Sequence, residues 1–312
     1  MTTKISKAPA PVHSKQSVNE CFATIMQHNF DFLAKWEQAA RSWQDIEGVH
    51  QMRVIFRRMR SATATFRSAI PKEIIRKWSE EMRWLAGELG EARDLDVFIG
   101  ESLGAVSGKL DLPGEKELLA LAEAQRAVAY ERVRSMLDSE RYALFKDGFS
   151  AWLASEGWLT GKISSKNQNR LSSNIVPFAR KILDKQERRV LSHGAHVDVN
   201  SANDMHRLRI ECKKMRYAAE FFYPLFTGMD LFIQHMRGLQ DLLGVMNDVA
   251  VMGKLLEGMF SHGADQRAVE YAGGVVGWRT REYHDLLETF DGSWNEFVHA
   301  KNPWWKKSAI IQ

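Results

Sequence analysis

Apolar residues recur three and four positions apart along nearly the whole chain. Met52, Ile55, Met59, Ala62 and Phe66 are one such stripe; Leu208, Cys212, Met215, Ala219 and Phe222 are another. That spacing lines one side of an α-helix and fits no strand. It predicts helices over about 17–43, 47–68, 72–102, 115–137, 140–156, 174–192, 203–226, 229–260 and 264–291. "AHVDVN" (195–200) alternates, but it is short and flanked by polar residues, and it reads as a loop. Ser17 and Asp204 are the predicted N-caps of the first helix and of the helix entering "MHRLRIECKKMRY". Pro71 and Pro224 mark two helix ends, because proline cannot extend a helix past its first turn. The predicted class is all-α, with antiparallel helices joined by short loops.

The chain also repeats itself. "VHQMRVIFRRMRSATATF" (Val49–Phe66) aligns with "MHRLRIECKKMRYAAEFF" (Met205–Phe222). His50 meets His206, Arg53 meets Arg209, Arg57 meets Lys213, Arg58 meets Lys214 and Arg60 meets Arg216. Further on, "LGEARDLDV" (Leu89–Val97) aligns with "LGVMNDVAV" (Leu243–Val251), pairing Gly90 with Gly244 and Asp94 with Asp248. Two matched blocks in the same order predict two similar helical halves. The expected organisation is a flexible tail at 1–16, a first helical bundle at 17–159, a polar linker at 160–173, a second bundle at 174–292 and a C-terminal tail at 293–312.

Composition narrows the class more than the function. The 312 residues are 45% hydrophobic, with 16 Phe and 10 Trp, enough for a sizeable core. The formal net charge is only +4, so charge can matter here only through clustering. Two cysteines, Cys21 and Cys212, make no disulfide framework and read as small buried thiols, which suits a reducing cytosol. The N-terminal stretch lacks the apolar core of a secretory signal, and no run of about 18 apolar residues predicts a membrane span. The expected location is cytoplasmic.

The clustering is real on a helical wheel. His50, Arg53, Arg57, Arg60 and Arg67 fall within roughly one third of the circumference, opposite the Met52–Phe66 stripe. His206, Arg209, Lys213 and Arg216 do the same in the second half. Like charges three or four apart on an exposed helix repel by a few tenths of a kcal/mol per pair. A bound anion would reverse that sign. A solvated basic face is the bland alternative for either block alone. The recurrence of histidine and cations at the same offsets in both halves favours an anion site.

These blocks, with "LQDLLGVMNDVAV", resemble the signatures of the CHAD domain, the conserved histidine α-helical domain. The resemblance covers about residues 17–292. It implies two up-down four-helix bundles related by a pseudo-twofold axis, whose basic residues converge on a central groove or channel. It also implies binding of inorganic polyphosphate and, for some members, association with polyphosphate or polyester granules. Residue by residue it nominates His50, Arg53, Arg57, Arg58, Arg60, His206, Arg209, Lys213, Lys214 and Arg216 as ligand-binding. Arg58 and Lys214 lie off the main basic face and suit ion pairs with a neighbouring helix equally well. "ARDLDV" becomes "MNDVAV" in the second half, losing the arginine and one aspartate. Asp94 and Asp248 remain and are expected to hold arginines in place, simple surface carboxylates being the alternative. Some relatives carry a triphosphate tunnel metalloenzyme; its acidic ExExK signature is absent, so the chain reads as standalone.

Polyphosphate carries roughly one negative charge per internal phosphate and has no base edges. Rows of cations suit it, arginine through its planar fork and lysine as a point charge. The shared histidines predict affinity that rises as pH falls from about 8 to 6, through protonation of His50 and His206. Nucleic-acid binding is the first alternative, weakened because the aromatics fall on the apolar sides, away from the cations. A phosphoryl-transfer enzyme is the second. No Walker A motif or glycine-rich loop after a strand supports it, and Asp94 and Asp96 diverge by about 200° on a helix. No metal or other cofactor is expected: His193 and His196, three apart, read as loop or helix-end residues. The C-terminal "NPWWKKSAIIQ" (302–312) either touches a granule or membrane surface or packs Trp304 and Trp305 back onto the bundle.

Overall fold

The computed structural model describes residues 9–43, 45–161, 163–261, 263, 265–300, 302–305 and 310–311. The described chain is all-α. Its helices are α1 (Val18–Ser42), α2 (Glu47–Thr65), α3 (Lys72–Glu88), α4 (Gly90–Val97), a single turn α5 (Gly104–Val106), α6 (Glu115–Leu137), α7 (Glu140–Ala154), α8 (Ser165–Leu171), α9 (Ile175–Gly194), α10 (Ala202–Phe222), α11 (Met229–Phe260), α12 (Gln266–Leu287) and α13 (Phe290–Val298).

Local chemistry sets the ends. Ser17 caps α1 in a full capping box: the Glu20 amide donates to Ser17 Oγ at 3.2 Å, and the Ser17 amide donates to Glu20 Oε2 at 2.7 Å. That arrangement satisfies two of the donors a helix start leaves open. Asp204 does not cap α10. Ser201 does, accepting from the Asp204 amide at 3.3 Å, while Asp204 sits in the first turn and pairs with Arg207. Both residues are good caps, and the chain uses the earlier one. "AHVDVN" is irregular, and His193 and His196 turn their Nδ1 atoms to the carbonyls of Arg189 and Ser192 at the end of α9.

The helix expected over 72–102 is broken. α3 stops at Glu88, α4 starts at Gly90, and a π-helical turn follows at Phe98–Leu103. A Cβ on Gly90 would stand 2.9 Å from Arg53 Nη1, so the bare backbone there makes room for that guanidinium. In the second half the matching Gly244 has nothing within 4 Å of such a Cβ, and α11 runs unbroken from Met229 to Phe260.

One continuous core runs through the chain. Phe66 joins the halves: its ring stacks on Phe178 at 5.3 Å and meets Phe222 at 6.0 Å. Cys21 and Cys212 are wholly buried free thiols, and burial pushes both well above the usual thiol range. Three segments are more structured than their sequence suggests. Ala10 and Val12 are buried ahead of α1. The expected linker contains α8. The expected C-terminal tail contains α13, and beyond it Trp304 is fully buried, 4.9 Å from the Phe232 ring, with its carbonyl accepting from Arg180 Nε at 2.7 Å. Trp305 is exposed, with its indole donating to Asp184 at 3.2 Å. Lys306 and Lys307 lie outside the described residues.

Candidate functional site

The helices that carry the two basic ladders, α2 and α10, pack against each other. Their apolar stripes are buried in the shared core: Met52, Met59 and Phe66 from one, Leu208, Met215 and Phe222 from the other. Burying those stripes fixes the rotation of both helices and brings their basic residues into one neighbourhood.

Lys213 reports that convergence. It is pushed down from its ordinary 10.5 to about 7, first by burial and then by Arg209, Arg57, Arg216 and Arg53. Two of those arginines come from α2 and two from α10. Burial also lowers Arg53 and Arg209, with Arg57 acting in the same direction on both. Desolvation and like charge both disfavour a protonated amine, so the empty cluster is strained electrostatically. Among the described residues no carboxylate forms an ion pair with Arg57, Arg209 or Lys213. Arg57 Nε is buried with no hydrogen-bond partner.

Asp94 and Asp248 stand behind the outer arginines. Arg53 Nη2 lies 3.8 Å from Asp94 Oδ1, and Arg53 Nη1 donates to the Ala86 carbonyl at 3.2 Å. Asp248 acts on Arg209 in the same sense. The two carboxylates also feel each other: Asp94 is raised mainly by burial, with Asp248 adding to the shift and Arg53 opposing it. Both line a recess between α4 and α11, with Phe98, Ser102, Asn247 and Met252. Asp96 points elsewhere. It is buried, accepts from the Tyr130 hydroxyl at 2.8 Å, and burial pushes it up to about 6.

Not every nominated cation joins the cluster. Arg58 Nη1 lies 3.1 Å from Glu220 across the junction of the halves, and Arg216 Nε approaches the same carboxylate at 3.5 Å. Lys214 pairs with Glu211 at 2.6 Å on its own helix. Arg60 is half-buried, and its charged neighbour is Arg83 on α3 rather than the central group. His206 is exposed at the start of α10, and His50 is half-buried on the first turn of α2.

Tyr217 is a member that the sequence did not single out. The guanidinium of Arg57 lies 5.6 Å over its ring and that of Arg216 lies 5.4 Å over it. The repeat places Ser61 opposite it, so the only available signal was this break in the match between halves.

Glu220 gives a prediction with two opposite signs. Glu220→Gln should lower stability by about 1 kcal/mol, because two arginines lose a partly buried partner. The same change releases Arg216 from its competitor, so affinity for a polyanion should rise a few-fold. Paired melting and titration experiments check both signs, and a fall in affinity would contradict the role given to Glu220.

The curated relatives are two uncharacterized proteins of Mycobacterium tuberculosis, from strains CDC 1551 and H37Rv. Each is 28% identical over 231 residues, which is 70% of this chain and 41% of the relative. The chain thus spans about two-fifths of their length. Among solved structures, the CHAD domain from the plant Ricinus communis superposes with a TM-score of 0.80 at 26% identity, covering 96% of this chain and 99% of that one. PptA from Streptomyces chartreusis shares the fold, with a TM-score of 0.63 at 16% identity over 90% of this chain and all of that one. The sequence model of the CHAD domain matches residues 24–257, three quarters of the chain and both basic ladders. By that match and by its fold, this chain belongs to the CHAD domain family.

Proposed function

We propose that the chain binds inorganic polyphosphate along the cation cluster where α2 and α10 meet, without catalysing a reaction on it. The observation that carries this reading is the pair Arg57 and Lys213, which form no ion pair with a carboxylate among the described residues, flanked by Arg53, Arg209 and Arg216 and supplied by both halves. Cations gathered without carboxylates raise the energy of the empty protein and lower it again when phosphate oxygens arrive. Membership of the CHAD family, whose members bind polyphosphate, supports the same ligand. The aspartates of the site, Asp94 and Asp248, are engaged with Arg53 and Arg209, which suits support of the cations rather than a phosphoryl-transfer role. No described helix is long and apolar enough to cross a membrane. On this reading, cytoplasmic polyphosphate or a polyphosphate granule would be the partner.

Parallel titrations with long-chain polyphosphate, orthophosphate, single-stranded RNA and duplex DNA test the proposal. Polyphosphate should bind tightest. Its affinity should fall with salt at a slope of roughly 0.7 per neutralised phosphate, or about 3.5 for five cations. A folded protein that ignores polyphosphate in dilute buffer sinks the proposal, and tighter binding to RNA or DNA replaces it with nucleic-acid recognition.

A further inference from the structure

Tyr217 has no evident structural reason for its hydroxyl. The residue is 3% exposed, and its hydroxyl is buried without a hydrogen-bond partner. The ring has ample reason to be there: it stacks on Phe221 at 6.4 Å and lies under the guanidinium groups of Arg57 and Arg216. A phenylalanine would keep all of those contacts. A buried hydroxyl left unpaired loses its bonds to water and gains nothing in return, so the oxygen is a standing penalty to the empty fold. Its charged neighbours, Arg57, Arg216 and Arg209, are donors only, and Arg209 lies within electrostatic reach of it. None of them can accept the phenolic hydrogen. An incoming oxyanion can.

We propose that the Tyr217 hydroxyl donates a hydrogen bond to a phosphoryl oxygen of the bound polyanion, as a neutral ligand-binding residue set among the cations. This rests on the anion-binding reading above and extends it to a specific group. The arginines and Lys213 supply charge and hold a flexible polyanion anywhere along the cluster. A single directional donor selects a position: one phosphoryl group is held against α10. The matching residue in the first half, Ser61, carries a much shorter side chain. The two ladders therefore present similar charge but unequal hydrogen bonding, and the ligand is gripped more firmly by the second half.

Tyr217→Phe is the test, because it removes one oxygen and leaves the ring. Hydrogen bonds to charged groups are the stronger class, so long-chain polyphosphate should bind about ten-fold more weakly at fixed salt. The slope of log affinity against log salt should stay at the wild-type value, because no cation has been removed. Lys213→Ala, run alongside, should lower that slope by about 0.7. The ligand-free Tyr217→Phe protein should melt at the wild-type temperature or above, having lost an unsatisfied group. Wild-type affinity in Tyr217→Phe overturns the inference while leaving the cation site intact. So does weaker binding accompanied by a reduced salt slope, which would mean that the hydroxyl acts by placing the arginines and not by meeting the ligand. A wild-type protein that does not bind polyphosphate overturns both this inference and the proposed function.

Discussion

Alanine at Arg53, Arg57, Arg209 and Lys213 together should lower the affinity for long-chain polyphosphate by at least about a thousand-fold, while the protein stays folded. Each charge-assisted contact to a phosphate oxygen contributes on the order of 1–2 kcal/mol, and contacts within one cluster do not add fully. Four of them leave room for a loss of that size. The salt slope should fall by about three, matching four fewer neutralised phosphates. A charge-matched control separates clustering from total charge. Alanine at Arg132, Arg188, Arg267 and Arg281 removes the same four charges from exposed sites on α6, α9 and α12. That control should change affinity only slightly, since screened charges at a distance act weakly. Equal losses in both variants would mean that net charge, not the junction of α2 and α10, attracts the ligand. Folding is checked by melting: the cluster is repulsive when empty, so Lys213→Ala by itself should raise stability below pH 7. Arg53 differs from the rest, because its guanidinium bonds the Ala86 carbonyl and fills the space left by Gly90.

The fold was legible wherever burial alone decides structure. The stripe from Met52 to Phe66 and its counterpart from Leu208 to Phe222 announce α2 and α10, and both stripes are buried. The same periodicity hid the break at Leu89, because apolar positions continue in phase through it and a lone glycine does not end a helix by rule. Just past the break, Gly90 lies against Arg53, a contact 37 residues away in sequence. α8 was missed because it is short and polar, α13 because nine residues carry too few turns to set a period, and Ser201 and Asp204 were equally good caps on paper. For the site, charge on one helix face was readable, and Asp94 and Asp248 were expected to hold arginines, though not which ones. Partner choice was not. Arg58 is drawn to Glu220, and Arg60 is set beside the like charge of Arg83, by packing that only the folded structure shows. The expectation that the aromatics keep away from the cations fails at Tyr217, which lies under Arg57 and Arg216, and a wheel cannot show whether its hydroxyl finds a partner.

Polyphosphate affinity should weaken as pH rises above about 7, by up to ten-fold per unit, and Lys213→Arg should flatten the curve. In the free protein Lys213 loses its proton near pH 7, through burial and four surrounding arginines. A polyanion restores the charged form, so binding above pH 7 takes up a proton, and that uptake is what makes affinity fall with pH. Below about 7 the lysine is already charged and contributes no further dependence. Arginine keeps its charge throughout and cannot follow the proton. The same shift fixes the sign for folding. The unfolded chain holds a proton on Lys213 up to about its ordinary 10.5, and the folded chain releases it near 7. Between those limits the unfolded state binds more protons, so the ligand-free protein gains stability as pH rises. Binding and folding therefore move in opposite directions across one pH window, which a general loss of structure at high pH cannot produce. The sequence had assigned the proton to His50 and His206. If His50→Gln with His206→Gln abolishes the pH dependence and Lys213→Arg preserves it, the histidines carry the proton and the buried lysine does not.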